Sequence, residues 1–108
     1  DLINMLSVIV LTKNEENRIK TCLESVKWAD EIIVVDSGSD DKTLEIAQKY
    51  TNKILKFKGL DFASLRNNAT KEATGDWVLY VDDDERVLDN LRREIEALIV
   101  LDSCSAYA

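Results

Sequence analysis

Proline and histidine are both absent from the 108 residues, glycine occurs three times and cysteine twice. Without histidine, and with Cys22 and Cys104 far apart in the chain, no zinc-ligand spacing can be assembled. Cys22 reads as a core residue and Cys104 as incidental. Gly38, Gly59 and Gly75 form neither a G-x-G-x-x-G nor a P-loop, so those two backbone cradles for phosphate are excluded. No apolar run nears the roughly 20 residues that span a bilayer, and no signal-peptide pattern opens the chain. Basic residues are in the minority, 14 against 21 acids, for a formal net charge of −7. That balance argues against nucleic acid as a partner, because phosphate backbones are bound through clustered Lys and Arg. With no proline and no low-complexity tract to mark a linker, residues 1–108 read as one domain. Met5 reads as the natural start, preceded by a remnant of residues 1–4. The expected location is cytoplasmic, extending to the inner face of a membrane.

What the chain does contain is an alternation of apolar runs and helical periods. Residues 6–11 (LSVIVL), 31–36 (EIIVVD) and 77–82 (WVLYVD) are too continuously apolar for half-exposed strands and read as strands buried on both faces. A weaker strand is expected at 54–57 (ILKF). Between the first two runs, Ile19, Cys22, Leu23 and Val26 recur at the spacing of one helix face. SGSDDKT (37–43) supplies a turn and capping residues for a second helix carrying Leu44, Ala47 and Tyr50. A third helix is expected from about Phe62 to Thr74, ended by a left-handed cap at Gly75. A fourth, capped by Asp89, would turn Leu88, Leu91, Ile95 and Leu98 inward. Trp28 and Trp77 read as core, and Lys42, Lys49, Lys53, Lys56 and Lys58 as a solvated face. The order βαβαβαβα predicts an α/β fold: an open, mainly parallel, Rossmann-like sheet with flanking helices. Ligands of such sheets sit at the carboxyl ends of the strands. Here those ends are residues 12–16, 36–41 and 82–85.

That rim holds four consecutive acids, Asp82, Asp83, Asp84 and Glu85. Their mutual repulsion is relieved either by water or by a cation. Asp82 and Asp84, two residues apart, project to the same side if the strand stays extended, and two convergent hard oxygens suit Mg²⁺ or Mn²⁺. The structural alternative is a solvated loop that favours the following helix N-terminus. Asp36 can accept a hydrogen bond from a base imide or a ribose hydroxyl, or it can close its own loop as an Asx-turn. Arg66 offers a planar fork for phosphate or carboxylate, or is a solvated surface side chain.

In family order, LSVIVLTKNEE, EIIVVDSGSDDKT, LRNNATKEATGDW and VLYVDDDE cover residues 6–85, and together they resemble the N-terminal half of a family 2 glycosyltransferase of GT-A fold. The wording is most similar to bacterial transferases acting on lipopolysaccharide core or related glycans. The resemblance implies a truncated GT-A domain with sheet order 3-2-1-4 and a site for a nucleotide-diphosphate sugar, a UDP-sugar being favoured. It places Thr12, Asn14 and Glu15 beside the nucleoside, Asp36 at the base and Arg66 near the nucleotide. Asp82 and Asp84 would form the D-x-D metal motif, with Asp82 and Asp83 also facing the nucleotide. Because Asp83 stands between them, any two of the three acids could supply the ligands. The implied reaction is inverting transfer to a glycan or lipid-linked glycan, with the base in the C-terminal half, beyond this chain. Leu11 and Lys13 replace the frequent Pro and aromatic residue, and Ala69 replaces a frequent Gly. Strand 77–81 would be an open edge, which predicts a homo-oligomer through that strand or helix 88–99. Two other readings place an acidic site on a similar sheet: a Mg²⁺-binding receiver module and a nucleotidyltransferase.

Overall fold

The computed structural model describes residues 5–105, side chains of Phe62 and residues 100–105 excepted. The readings of residues 1–4 and of Cys104 therefore lie outside the described residues and side chains. The elements are β1 (Leu6–Thr12), α1 (Ile19–Val26), β2 (Glu31–Asp36), α2 (Thr43–Ala47), β3 (Lys53–Lys56), α3 (Phe62–Glu72), β4 (Trp77–Asp82) and α4 (Asp89–Ser105). All pairings are parallel, in the order β3-β2-β1-β4. This is the expected sheet. Parallel neighbours require crossovers, and each of α1, α2 and α3 supplies one.

Two apolar layers sandwich the central strands. Val8, Val10 and Val34 pack with Ile19, Cys22, Leu23 and Val26 of α1 on one face. Ile9, Leu11, Ile33 and Val35 pack with Leu65 and Ala69 of α3 on the other. All four predicted α1 residues are fully buried, so a single amphipathic period sufficed to orient that helix. Trp28 and Trp77 pack against the first layer, and the five named lysines are exposed, Lys53 pairing with Glu31.

Four local expectations are corrected. β4 is not buried on both faces: only Val81 of its apolar residues is buried and Tyr80 is 38% exposed, because the strand is a sheet edge. Gly75 is not a left-handed cap. α3 stops at Glu72 with Ala73 extended, and a Cβ on Gly75 would meet Ser7 Oγ at 2.5 Å and Ser7 N at 2.8 Å. Glycine is there because two backbones approach closely. Asp89 opens the first turn of α4 and does not precede it as a cap. Leu88, Leu91 and Leu98 point outward at 52%, 44% and 54% exposure, while Ile95 is partly buried and Ile99 buried. Two contacts set that rotation: Val87 N–H donates to Ser25 Oγ (2.9 Å), and Arg92 lies 5.1 Å over the Trp28 ring. They turn the Arg92, Ile95, Ile99 face inward.

Candidate active site

The carboxyl ends of β1, β2 and β4 carry three loops that are stitched to one another by side chains acting on backbone. Asn14 adopts a left-handed conformation (φ 52°), which asparagine tolerates better than most residues. In that pose its N–H donates to Ser39 Oγ (2.9 Å), and its Oδ1 accepts from Asp40 N–H (2.7 Å). Glu15 N–H donates to Thr43 Oγ1 (2.9 Å), and Glu16 N–H to Asp41 (3.3 Å). Thr43 is fully buried and donates its own hydroxyl to Asp41 (2.5 Å). Sequence reasoning gave Ser39, Asp41 and Thr43 a part in the turn and cap before α2 but none at the site. The turn-forming run SGSDDKT was their signal, and their partners lie some 25 residues upstream.

Asp36 is 3% exposed. Its carboxylate accepts from Gly38 N–H (3.2 Å), Ser39 N–H (3.0 Å) and Ser39 Oγ (2.5 Å), so in this structure it closes its own loop as the Asx-turn alternative describes. It borders a cavity of about 280 Å³ with Lys56, Phe57 and Lys58. Arg66 is exposed on α3 with its guanidinium 5.1 Å over the Tyr80 ring, and it does not line the acid-rich cavity.

That acid-rich cavity, about 340 Å³, is bordered by Thr12, Lys13, Glu15, Ser37, Leu65, Asp82, Asp83 and Asp84. β4 ends at Asp82, and Asp83 and Asp84 form a turn. The three acids thus reach one cavity through a turn and not through extended alternation. Asp83 is half-buried and accepts from Lys13 N–H (3.2 Å). Burial pushes its carboxyl above the ordinary value, the amide of Lys13 and the hydroxyl of Thr12 oppose that, and the charges of Glu15 and Asp84 add to it. Asp82 and Asp84 are exposed, and their carboxylates accept no hydrogen bond from the described residues, Asp84 being reached only by the Arg18 guanidinium at 3.9 Å. Thr12 is buried, and its Oγ1 completes no hydrogen bond of good geometry among the described residues, although it lies close enough to Asp83 to favour that carboxylate's charged form. Beneath the acids, the Cys22 thiol contacts Asp82 C=O (3.4 Å), and burial plus the four nearby carboxylates push that thiol up to about 12. Cys22 is a packing and anchoring residue, as the sequence implied.

Among the described residues no three side chains converge into a complete metal cage. Mg²⁺ and Mn²⁺ do not need one, since one or two carboxylates suffice when a substrate phosphate supplies further oxygens. Two exposed carboxylates, of which Asp84 has only a long ion pair to Arg18 (3.9 Å), beside the buried Thr12 hydroxyl fit that donor set. A larger hollow of about 610 Å³ lies between α1 and residues 86–89, but it is an open groove lined by none of the strand-end residues and its charges are mixed.

The model for Glycosyl transferase family 2 matches residues 7–104. The chain belongs to that family. An uncharacterized glycosyltransferase of Rickettsia bellii is 36% identical over 107 residues, covering 98% of this chain and 36% of the relative. The family 2 chain thus spans about a third of the rickettsial protein. The poly(ribitol-phosphate) beta-N-acetylglucosaminyltransferase TarS of Staphylococcus aureus is 39% identical over 86% of this chain and 18% of its own. Its crystal structure superposes with a TM-score of 0.76 at 34% identity, covering 88% of this chain and 19% of TarS, and a 1–349 form has been solved with UDP. Glucosyl-3-phosphoglycerate synthase of Mycobacterium tuberculosis, solved with Mg²⁺ and UDP, has a TM-score of 0.67 at 22% identity, covering 77% of this chain and 35% of its own, a likeness of fold. The receiver and nucleotidyltransferase alternatives are set aside by the family match.

Proposed function

We propose that this chain forms the donor side of a metal-dependent, inverting glycosyltransferase that takes its sugar from a nucleoside diphosphate, UDP being favoured. The observation that carries the reading is the turn of Asp82, Asp83 and Asp84 sharing one cavity with the buried Thr12 hydroxyl. The UDP complex of TarS supports the choice of nucleotide, at 34% identity. Asp82 and Asp84 would hold Mg²⁺ or Mn²⁺, which when bound neutralises charge developing on the diphosphate leaving group. Thr12 offers a preformed donor at the same spot. Asp83, tied to Lys13 N–H, fixes the turn, and its neighbours' carboxylates stay exposed. Asn14 and Asp36 act at the nucleoside side by holding the two loops in register, and Glu15 borders the same cavity. Arg66 follows the cavity-lining Leu65 on α3 and would contact the nucleotide from that helix.

The acceptor in this reading is a glycan hydroxyl, of the lipopolysaccharide-core class implied by the sequence wording. A cytoplasmic setting agrees with a free, buried Cys22. No helix of the described residues is long and apolar enough to cross a membrane. Homo-oligomerisation through strand 77–81 or helix 88–99 is also proposed, supported by the open β4 edge and the outward leucines of α4. Sedimentation equilibrium checks that point, a monomer at tens of micromolar excluding it.

Calorimetry with UDP and GDP, with and without Mn²⁺, tests the donor reading. UDP should bind more tightly with Mn²⁺, and Asp84→Ala should remove that dependence while the fold persists. Metal-independent binding in both proteins would sink the assignment.

A further inference from the structure

α1 breaks two local rules at its start. The residue in its N-cap position is Arg18, which makes no side-chain cap, and the first turn carries no acid. Capping favours short oxygen-bearing side chains, and the helix dipole disfavours a cation at this end. A fold that keeps Arg in such a place has a use for it elsewhere.

Its surroundings show the use. The guanidinium is forked on Glu15, Nε to Oε2 at 2.9 Å and Nη2 to Oε1 at 3.2 Å, which fixes its plane. That fork leaves Nη1 facing the acid turn, 3.9 Å from Asp84 Oδ2. Arg18 is the basic side chain that pairs with the acid turn among the described residues, and at 61% exposure it is free to swing away. Glu15 itself borders the acid cavity, so the pair sits at the cavity mouth.

We propose that Arg18 is a built-in countercharge: forked on Glu15, it offsets Asp84 while the acids are without a cation and yields that carboxylate when a divalent cation arrives. This rests on the reading of Asp82 and Asp84 as cation ligands. Arg18 thereby sets cation affinity downward and keeps the repelling acids together beforehand. Two opposite roles follow for one side chain. It stabilises the metal-free turn and competes with the metal.

The test is Mn²⁺ binding to the 108-residue chain, followed by the electron paramagnetic resonance signal of free Mn²⁺, with and without UDP. Arg18→Gln should tighten Mn²⁺ binding about two- to fivefold, the range expected for an exposed ion pair. Arg18→Lys, which keeps charge but loses the fork, should fall between. Because the pair is exposed, raising the salt should shrink the difference. Unchanged or weaker Mn²⁺ binding by Arg18→Gln would overturn the countercharge role. Failure of the parent chain to bind Mn²⁺ under either condition would instead defeat the metal reading on which it rests.

Discussion

The two ends of the sheet treat carboxylates in opposite ways. At the amino end, Glu31 opens β2 and accepts from Ser7 Oγ (2.7 Å), Thr74 N–H (2.9 Å) and Thr74 Oγ1 (3.0 Å), and it pairs with Lys53. These donors come from β1, from β3 and from the segment that leads into β4, so one side chain joins all four strands. Burial alone would raise the Glu31 carboxyl, but Lys53, Thr74 and Ser7 outweigh it and bring it down to about 2. At the carboxyl end, Asp82, Asp83 and Asp84 share one cavity rim, and the Asp82 and Asp84 carboxylates receive no hydrogen bond from the described residues. An acid whose oxygens are satisfied holds structure together. An acid left unsatisfied on a ligand rim is kept for something that binds.

This contrast is sharpest where each end is disabled in turn. Glu31→Ala should cost about 3 kcal/mol in urea unfolding, because it strands several donors at the amino end of the sheet. Nucleotide binding per folded molecule should not change. The pH dependence has a defined sign: a lowered folded value means Glu31 stabilises fully above its ordinary value of 4.5, and this is lost as pH falls towards about 2. Glu31→Gln should flatten that limb. Asp83, raised by burial, works the other way: its contribution falls as pH rises past 3.8, which the flattened profile should expose. A stability change under about 1 kcal/mol for Glu31→Ala would break the comparison.

Gly75→Ala tests the same amino end without touching a charge. Its Cβ would lie 2.5 Å from Ser7 Oγ and 2.9 Å from Met5 O, so β1 and the chain before β4 must part. About 2 kcal/mol of destabilisation is expected from such overpacking. Thermal and urea unfolding should agree on it, and a neutral result would mean that the close approach relaxes freely. The smallest effect belongs to the other end. Asp84→Asn should alter stability by no more than about 0.5 kcal/mol, since the residue is exposed and its ion pair is long. The same variant should lose the thermal shift that Mn²⁺ and UDP give the parent. A large loss of stability with the shift retained would reverse the roles assigned to the two ends.

Much of this was legible beforehand. The spacing of Ile19, Cys22, Leu23 and Val26 oriented α1, and the runs at 6–11 and 31–36 located the central strands, since such runs can be buried only between two helical layers. The site was legible as a set of strand ends but not as a geometry. Nothing local to Asp36 separates a base-reading carboxylate from one spent on Gly38 and Ser39. Arg18 carried no signal as a site residue, because a charged residue before a helix reads as solvated surface.

What the sequence determined by itself was the order of elements, the parallel sheet and the rim on which the acids gather. Those depend on residue period and on the chirality of short crossovers, which are local properties. Only the tertiary structure decided which face of α4 turns inward, why residue 75 is glycine, and which acids are satisfied. Ser25 with Val87, Arg92 with Trp28, and Gly75 with Ser7 are each more than 60 residues apart along the chain. No local period encodes the distance between such partners. It exists only once the sheet has brought them together.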